Sequence, residues 1–250
     1  MKRPGRHVAS ARGFTVTEMA LTVAVIGLMA ATGAAAYARL ADRANQRISV
    51  QASATVLTEA AIAFAASHFR LPCPSMDNSG HEGTGGVCAA GDQVGMFPYL
   101  AVGLPLPAPG SRALYGVYRH ATADLAAARE FTGDPAGSPG HAARSDFLHA
   151  LRTAAAQAML VPSDAQPYLT GDGAANGAEN CSNGARSNPA FVVTLPGADR
   201  DGDGRGFDGI HQLLPGTGRC FSAPTRAADS GFDDTTEALG FYALLARLNH

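Results

Sequence analysis

Gly13-Phe14-Thr15-Val16-Thr17-Glu18 opens the stretch that decides the reading of this chain, and an apolar run continues from it to about Tyr37. Upstream of Gly13 the ionisable side chains, Lys2, Arg3, Arg6, His7 and Arg12, are all basic. Within the run the single charged side chain is Glu18. A helix needs about 20 apolar residues to cross a bilayer, so the run is predicted to span one. A carboxylate inside such a span costs roughly 2.5–3.5 kcal/mol on insertion scales and usually marks a function with a partner.

Cutting the chain between Gly13 and Phe14 places a new α-amino group four residues before Glu18. An ammonium and a carboxylate at that spacing, on one chain or on neighbouring chains, neutralise each other in a low-dielectric layer. The basic leader, the Gly-Phe junction, the Glu and the unbroken apolar run together resemble the leader of type IV pilins and type II secretion pseudopilins. The resemblance implies that a prepilin peptidase cleaves after Gly13 and methylates the amine of Phe14. It implies that Glu18 then pairs with the amine of a neighbouring subunit in a filament. Two plainer readings compete. A secretory signal has a shorter apolar core and a small-residue cleavage site, which Ala34-Ala35-Ala36 imitates, but it leaves Glu18 unexplained. A simple membrane anchor tolerates a glutamate near the interface.

The periodicity continues past the membrane run. Leu40, Ala44, Ile48, Ala52, Val56, Ala60 and Phe64 recur every four residues, with Leu57 broadening the stripe. No Pro intervenes between Phe14 and Arg70, and Leu71-Pro72 makes a natural stop. One long helix is therefore predicted, as the resemblance also implies. The expected divisions are a leader over 1–13, a transmembrane and assembly helix over 14–38, its extramembrane continuation over 39–70, and a periplasmic globular domain over 71–250. Arg39, Arg43 and Arg47 follow the apolar run at four-residue spacing, as a solvated face near lipid headgroups or a subunit-contact stripe.

Among all 250 residues the net charge is −2, which gives no global pull toward nucleic acid such as DNA. Gly and Pro are abundant and Trp is absent, so the domain is predicted to be loop-rich with a modest core. Cys73, Cys88, Cys181 and Cys220 form no Cys-x-x-Cys pair, which argues against a zinc ribbon or a thioredoxin-like site. An even count in an exported domain favours two disulfides. Three pairings are open, and the shortest loops favour Cys73–Cys88 with Cys181–Cys220.

Leu71-Pro72-Cys73-Pro74 and Phe97-Pro98-Tyr99-Leu100-Ala101-Val102-Gly103-Leu104-Pro105 resemble segments that open the globular domain in some pilin-like proteins. Leu114–Arg119 reads as a strand with its aromatics on one face, and Pro189–Gly197 as the clearest strand. Thr122–Phe131 reads as an Ala-rich helical patch. Ser145–Val161 reads as an amphipathic helix with Leu148, Leu151, Ala155 and Met159 inward. Between Gly171 and Asn188 lies a polar loop. Asp233-Asp234-Thr235-Thr236-Glu237 reads as a cap before an apolar run to Leu248, with a strand at its start held as an alternative.

Enzyme signatures such as His-Glu-x-x-His, Gly-x-Ser-x-Gly and a phosphate loop are missing from the sequence. His81-Glu82 fits a loop pair better than a catalytic dyad. The ligand-like cluster is Asp199, Asp201 and Asp203, with carboxylates at alternate positions before a glycine turn. Hard cations want several oxygens converging from such a turn, so Ca²⁺ is the candidate cofactor, against a solvated Asp/Gly turn. Ile210 stands where an EF-hand needs its bidentate acid, so that register fails, and Asp208 is left as a late ligand in another geometry. Asp229, Asp233 and Asp234 are more remote candidates.

The expected fold is α+β: a long N-terminal helix, half of it transmembrane, packed on an antiparallel sheet with long loops and extra helices. The expected function, by resemblance, is a non-enzymatic subunit of a type IV pilus or a type II secretion pseudopilus. The size of the globular part favours a minor or specialised subunit. Its expected partners are prepilin peptidase, other pilin or pseudopilin subunits and an inner-membrane assembly platform. It is expected in the inner membrane, its globular domain in the periplasm, before it joins the filament. The alternative is a membrane-tethered periplasmic binding protein that does not polymerise.

Overall fold

A computed structural model describes residues 15–127, 144–170, 181, 186–199, 204, 206–214, 218–229 and 231–249. The chain divides into two units, Met1–Ile48 and Ser49–His250. Helix α1 covers Val16–His68 without a break, as a Pro-free run of good helix formers dictates. Within the second unit it buries Ala54, Leu57, Ala61, Phe64 and Ala65. That stripe corrects the expected one, because Val56 is 55% exposed. A strict four-residue repeat advances about 40° per step on a helix of 3.6 residues per turn, so it winds off the buried face. Alternating steps of three and four stay on it.

After α1, strands β1 (Val94–Met96) and β2 (Leu114–Val117) pair antiparallel. Strands β3 (Arg119–His120) and β4 (Ala123–Asp124) make a small hairpin. Helix α2 (Arg144–Leu160), β5 (Tyr168–Thr170), β6 (Arg186–Ser187) and β7 (Phe191–Leu195) follow. Then come β8 (Cys220–Phe221), β9 (Thr235–Leu239) and α3 (Phe241–Leu248). The main sheet has the order β1-β2-β7-β9 and is antiparallel throughout. The fold is α+β, with an apolar N-terminal helix and an antiparallel sheet. A second sheet, β6-β5-β8, contains one parallel pair, β5 with β8.

Every residue of β7 is buried. Phe191, Val193 and Leu195 enter the core shared with α1, α2 and α3. Val192 enters a smaller core with Leu114, Phe207, Leu214 and Phe221 on the other face. Two-sided burial explains why β7 reads as a continuous apolar run and not as an alternation. Gly116 in β2 serves the second core: a Cβ there would sit 2.9 Å from Val192 and 3.0 Å from Phe221.

Several expected elements are corrected. Tyr115 and Tyr118 lie three apart, so one strand cannot put both on one face. The chain instead breaks after Val117, and both rings enter the main core. Tyr118 meets Phe241 edge to face at 5.1 Å. The described part of 122–131 forms β4 and bends, not a helix, because Asp124 accepts the N–H groups of Ala126 and Ala127 in a local turn. In α2 the core face is Phe147, Ala150, Leu151, Ala154, Ala155 and Ala158, one step round from the expected stripe, and Met159 is exposed. Arg186–Ser187 adds a short strand inside the expected loop. Residues 233–237 do not cap α3; β9 comes first, and Gly240 is the cap position with no side-chain bond.

The turn after α1 is pinned by Glu82. Its carboxylate takes Arg70 Nη1 at 2.5 Å and Nη2 at 2.7 Å, and the Cys73 N–H at 2.6 Å. Burial raises the Glu82 pKa, but these three donors outweigh it and hold the group below its ordinary value of 4.5. A carboxyl depressed on folding stabilises above its unfolded pKa and loses that contribution as pH falls through the folded value. Stability should therefore decline below about pH 4.5. Glu82→Gln should be less stable at pH 7 and show a shallower acid decline, read as urea midpoints between pH 7 and pH 2. Equal acid slopes in the two proteins would reject this role.

Candidate functional site

The first unit, Met1–Ile48, carries Glu18 and the apolar run behind it. Gly13 and Phe14 lie outside the described residues. Val16–Ala38 is 23 residues of helix, long and apolar enough to cross a membrane and with none of it buried. Ser49–His68 also passes on length and composition, but its apolar stripe is buried in the core of the second unit. Within Val16–Ala38 the Thr22 hydroxyl donates to the Glu18 and Met19 carbonyls, and Thr32 to those of Leu28 and Met29. Each hydroxyl is thus satisfied inside its own helix, as a hydrocarbon environment demands.

Glu18 sits in the first turn of α1. The Thr15 N–H donates to Glu18 Oε2 at 2.9 Å, and the Glu18 N–H donates to Thr15 Oγ1 at 3.3 Å. That reciprocal pair is a capping box, Thr-x-x-Glu. The Thr15 hydroxyl also donates to Oε2, at 3.0 Å. Its signal is local, four residues of sequence, Thr15-Val16-Thr17-Glu18. The side chains of Arg39, Arg43 and Arg47 lie outside the described part of the helix.

In the second unit Cys73 is bonded to Cys88 and Cys181 to Cys220. Beside the first bridge lies Arg119, buried with Asp124. Its Nε and Nη2 donate to Asp124 at 2.9 Å each, and Nη1 lies 3.0 Å from Cys88 Sγ. The Ala89 and Asp92 carbonyls accept from the same Nη1. The bridge therefore holds the loop that supplies acceptors to a buried cation. Sequence offered no sign of it, since the partners come from three separate segments.

Of the candidate Ca²⁺ ligands, Asp201 and Asp203 lie outside the described residues. Asp199 accepts the Gly204 N–H at 2.9 Å. Asp208 is grouped instead with Asp233 and Asp234, each offering an oxygen within 4.8 Å of the others. Such a hard-oxygen set suits Ca²⁺, though three carboxylates supply only part of the six to eight oxygens that ion takes. The same oxygens also tie loops together. Asp234 accepts the N–H groups of Gly197 and Asp208 and the His211 Nδ1–H; Asp208 accepts the Asp233 N–H. Gly197 permits this approach, because a Cβ there would lie 1.7 Å from Asp233 Oδ1.

Asp234, His211 and Ser222 stand in the order of a nucleophilic triad, but the chemistry is different. His211 Nε2 meets the Ser222 backbone N–H at 3.1 Å, which is a donor only, so Nε2 accepts and Nδ1 carries the proton toward Asp234. The Ser222 hydroxyl is bonded to Thr236 at 2.9 Å, and both are buried. The trio presents no nucleophile to solvent.

Comparison with family models, curated proteins and solved structures finds no match to this chain. The loop-tying role of Asp234 is measurable. Asp234→Ala strands three donors in a fully buried position, at about 1–3 kcal/mol for each unsatisfied group. A loss of at least about 3 kcal/mol is expected by urea unfolding in the presence of a calcium chelator. A loss seen only when Ca²⁺ is present would assign the cluster to the ion instead.

Proposed function

We propose that this chain is a non-enzymatic subunit, minor or specialised, of a type IV pilus or a type II secretion pseudopilus. Prepilin peptidase processes it after Gly13, its α1 inserts in the inner membrane with the second unit in the periplasm, and an assembly platform draws it into the filament. One observation carries the reading: a lone carboxylate, Glu18, at the head of a fully exposed 23-residue apolar helix. It stands directly behind a basic leader and a Gly-Phe junction. An exposed apolar surface of that length needs lipid or other helices around it. A carboxylate there needs a countercharge once lipid is replaced by neighbouring helices.

The capping box favours a second reading, a tethered binding protein that never polymerises. A Glu18 that caps its own helix has work to do without a neighbour. The two readings separate cleanly because Gln also completes a capping box, whereas Ala does not.

Glu18→Gln should thus keep the cap and lose the charge. It is expected to be exported, cleaved and held in the membrane, yet be absent from sheared filaments or cross-linked pseudopilus complexes. Glu18→Ala should fail in the same way. If Gln enters filaments normally and only Ala fails, the cap is the whole role of Glu18 in assembly; if the unaltered chain is held in the membrane and never found in filaments, the tethered protein is the better account. The N-terminus adds an independent measurement. Mass spectrometry of protein from the native host should find a chain beginning at a methylated Phe14. Intact Met1, or a start after Ala36, would overturn the processing step.

A further inference from the structure

At the end of α1 the chain does something costly. Phe69 adopts a left-handed backbone, φ 52°, at a position where helices usually place Gly or Asn. Bulky residues adopt that conformation only where the surroundings fix it. Phe69 lines a pocket of about 260 Å³ together with Ala66, Phe147, Leu148, Leu248 and Arg144. Arg144 is exposed at the first turn of α2, and one of its nitrogens donates to the Leu248 carbonyl. Arg144 is the one charged side chain lining this cavity, whose other lining residues are all apolar. Pockets for drug-sized ligands run from about 300 to 1,000 Å³, so this one suits an apolar side chain or two better than a cofactor. The Arg144 donors add a demand for carbonyl oxygens or negative charge beside that side chain.

The other end of α2 offers that combination. Met159, Leu160 and Val161 are 71%, 82% and 73% exposed, three consecutive apolar residues at a helix terminus. Scattered exposed apolar residues need no explanation, but a contiguous tip does. The last turn of α2 contains no basic residue to offset its carbonyls, so this end keeps its partial negative charge. Apolar tip and unoffset carbonyls match apolar pocket and guanidinium. The two features lie about 24 Å apart along one helix, too far for a chain to satisfy itself.

We infer that α2 is a head-to-tail connector: the Met159–Val161 tip of one copy seats in the Phe69–Phe147–Leu248 pocket of a second copy, with Arg144 receiving its terminal carbonyls. Such a contact is heterologous, joining different patches on the two copies, and it propagates where the rotation does not close a ring. The inference rests on the assembly reading and narrows it: the subunit occurs in consecutive copies, not singly at a tip.

The test is cysteine cross-linking of the full chain in membranes of the native host. The four native cysteines are paired and do not compete. Ala66→Cys and Leu160→Cys, combined in one chain, should give a ladder of dimers and higher species with a short bismaleimide. The two single variants should give none alone and dimers only when co-expressed. Adding Met159→Asn to the double variant should lower the yield at least tenfold, whereas Tyr242→Asn, another exposed apolar position, should not. No ladder, or equal loss with Tyr242→Asn, overturns the connector. Glu18→Gln run in parallel keeps the two proposals apart. Filament loss in that variant with no ladder in its Glu18 counterpart sinks the connector alone. A ladder alongside unchanged Glu18→Gln incorporation supports the connector and sinks assembly through Glu18.

Discussion

Strand β7 leaves no face for water, and the second unit is built around that constraint. Phe191, Val193 and Leu195 need a cover on one side, and the helices supply it. Val192 needs another on the opposite side, where among the described residues α1, α2 and α3 contribute nothing. The cover there is Phe207 and Leu214, on either side of the short 3-10 turn Gly209–Leu213, together with Phe221 from β8. Irregular backbone cannot be buried unless its N–H and C=O groups find partners. Asp234 and Asp208 provide them, taking N–H groups from Gly197, Asp208 and Asp233, while His211 joins Asp234 to Ser222. The acidic cluster that resembles a cation site is thus, first, what lets loops serve as a core layer. The same logic governs the sheet edge. Glu237 points from edge strand β9 toward α1, where Gln51, Thr55 and Thr58 all donate to it. An inward-facing charge discourages further strand pairing, and its three donors make it tolerable.

How far the sequence revealed this depended on the range of the interactions. The α+β class, the helices α1 and α2 and the strand β7 follow from local pattern: Pro-free amphipathic runs for the helices, a bounded apolar run for the strand. Which face each helix buries does not follow from that pattern: Val56 and Met159, expected inward, are exposed. Helical pattern in Ala-rich segments is nearly symmetric, and the partner decides which side counts. Strands of two or three residues, such as β3, β4 and β8, are too short to show a period at all. Thr122–Ala127 illustrates propensity overruled. Alanines favour a helix, but Asp124 is claimed by Arg119 and by its own turn. The convergence of Asp208, His211 and Asp234 joins residues more than twenty positions apart in sequence. No local pattern announces such a pairing.

Glu18 is the reverse case, where a local signal was present and a louder one covered it. A carboxylate at the head of an apolar helix suggests a countercharge on another chain. The Thr15-x-x-Glu18 box shows that it also closes its own helix end. The two roles do not compete for the same atom. Thr15 N–H and hydroxyl both fall on Oε2, and among the described residues no hydrogen bond falls on Oε1. Among the described residues, the capped carboxylate thus has one oxygen left to meet an ammonium. Capping also lowers the cost of waiting, because backbone N–H groups at a helix start in lipid are expensive to leave unmatched. On the proposed assembly reading, a glutamate here serves as a cap before assembly and becomes half of an ion pair during it. Gln performs the first task as well as Glu but cannot perform the second. That asymmetry is why charge, and not polarity or helix stability, is the property to alter at this position.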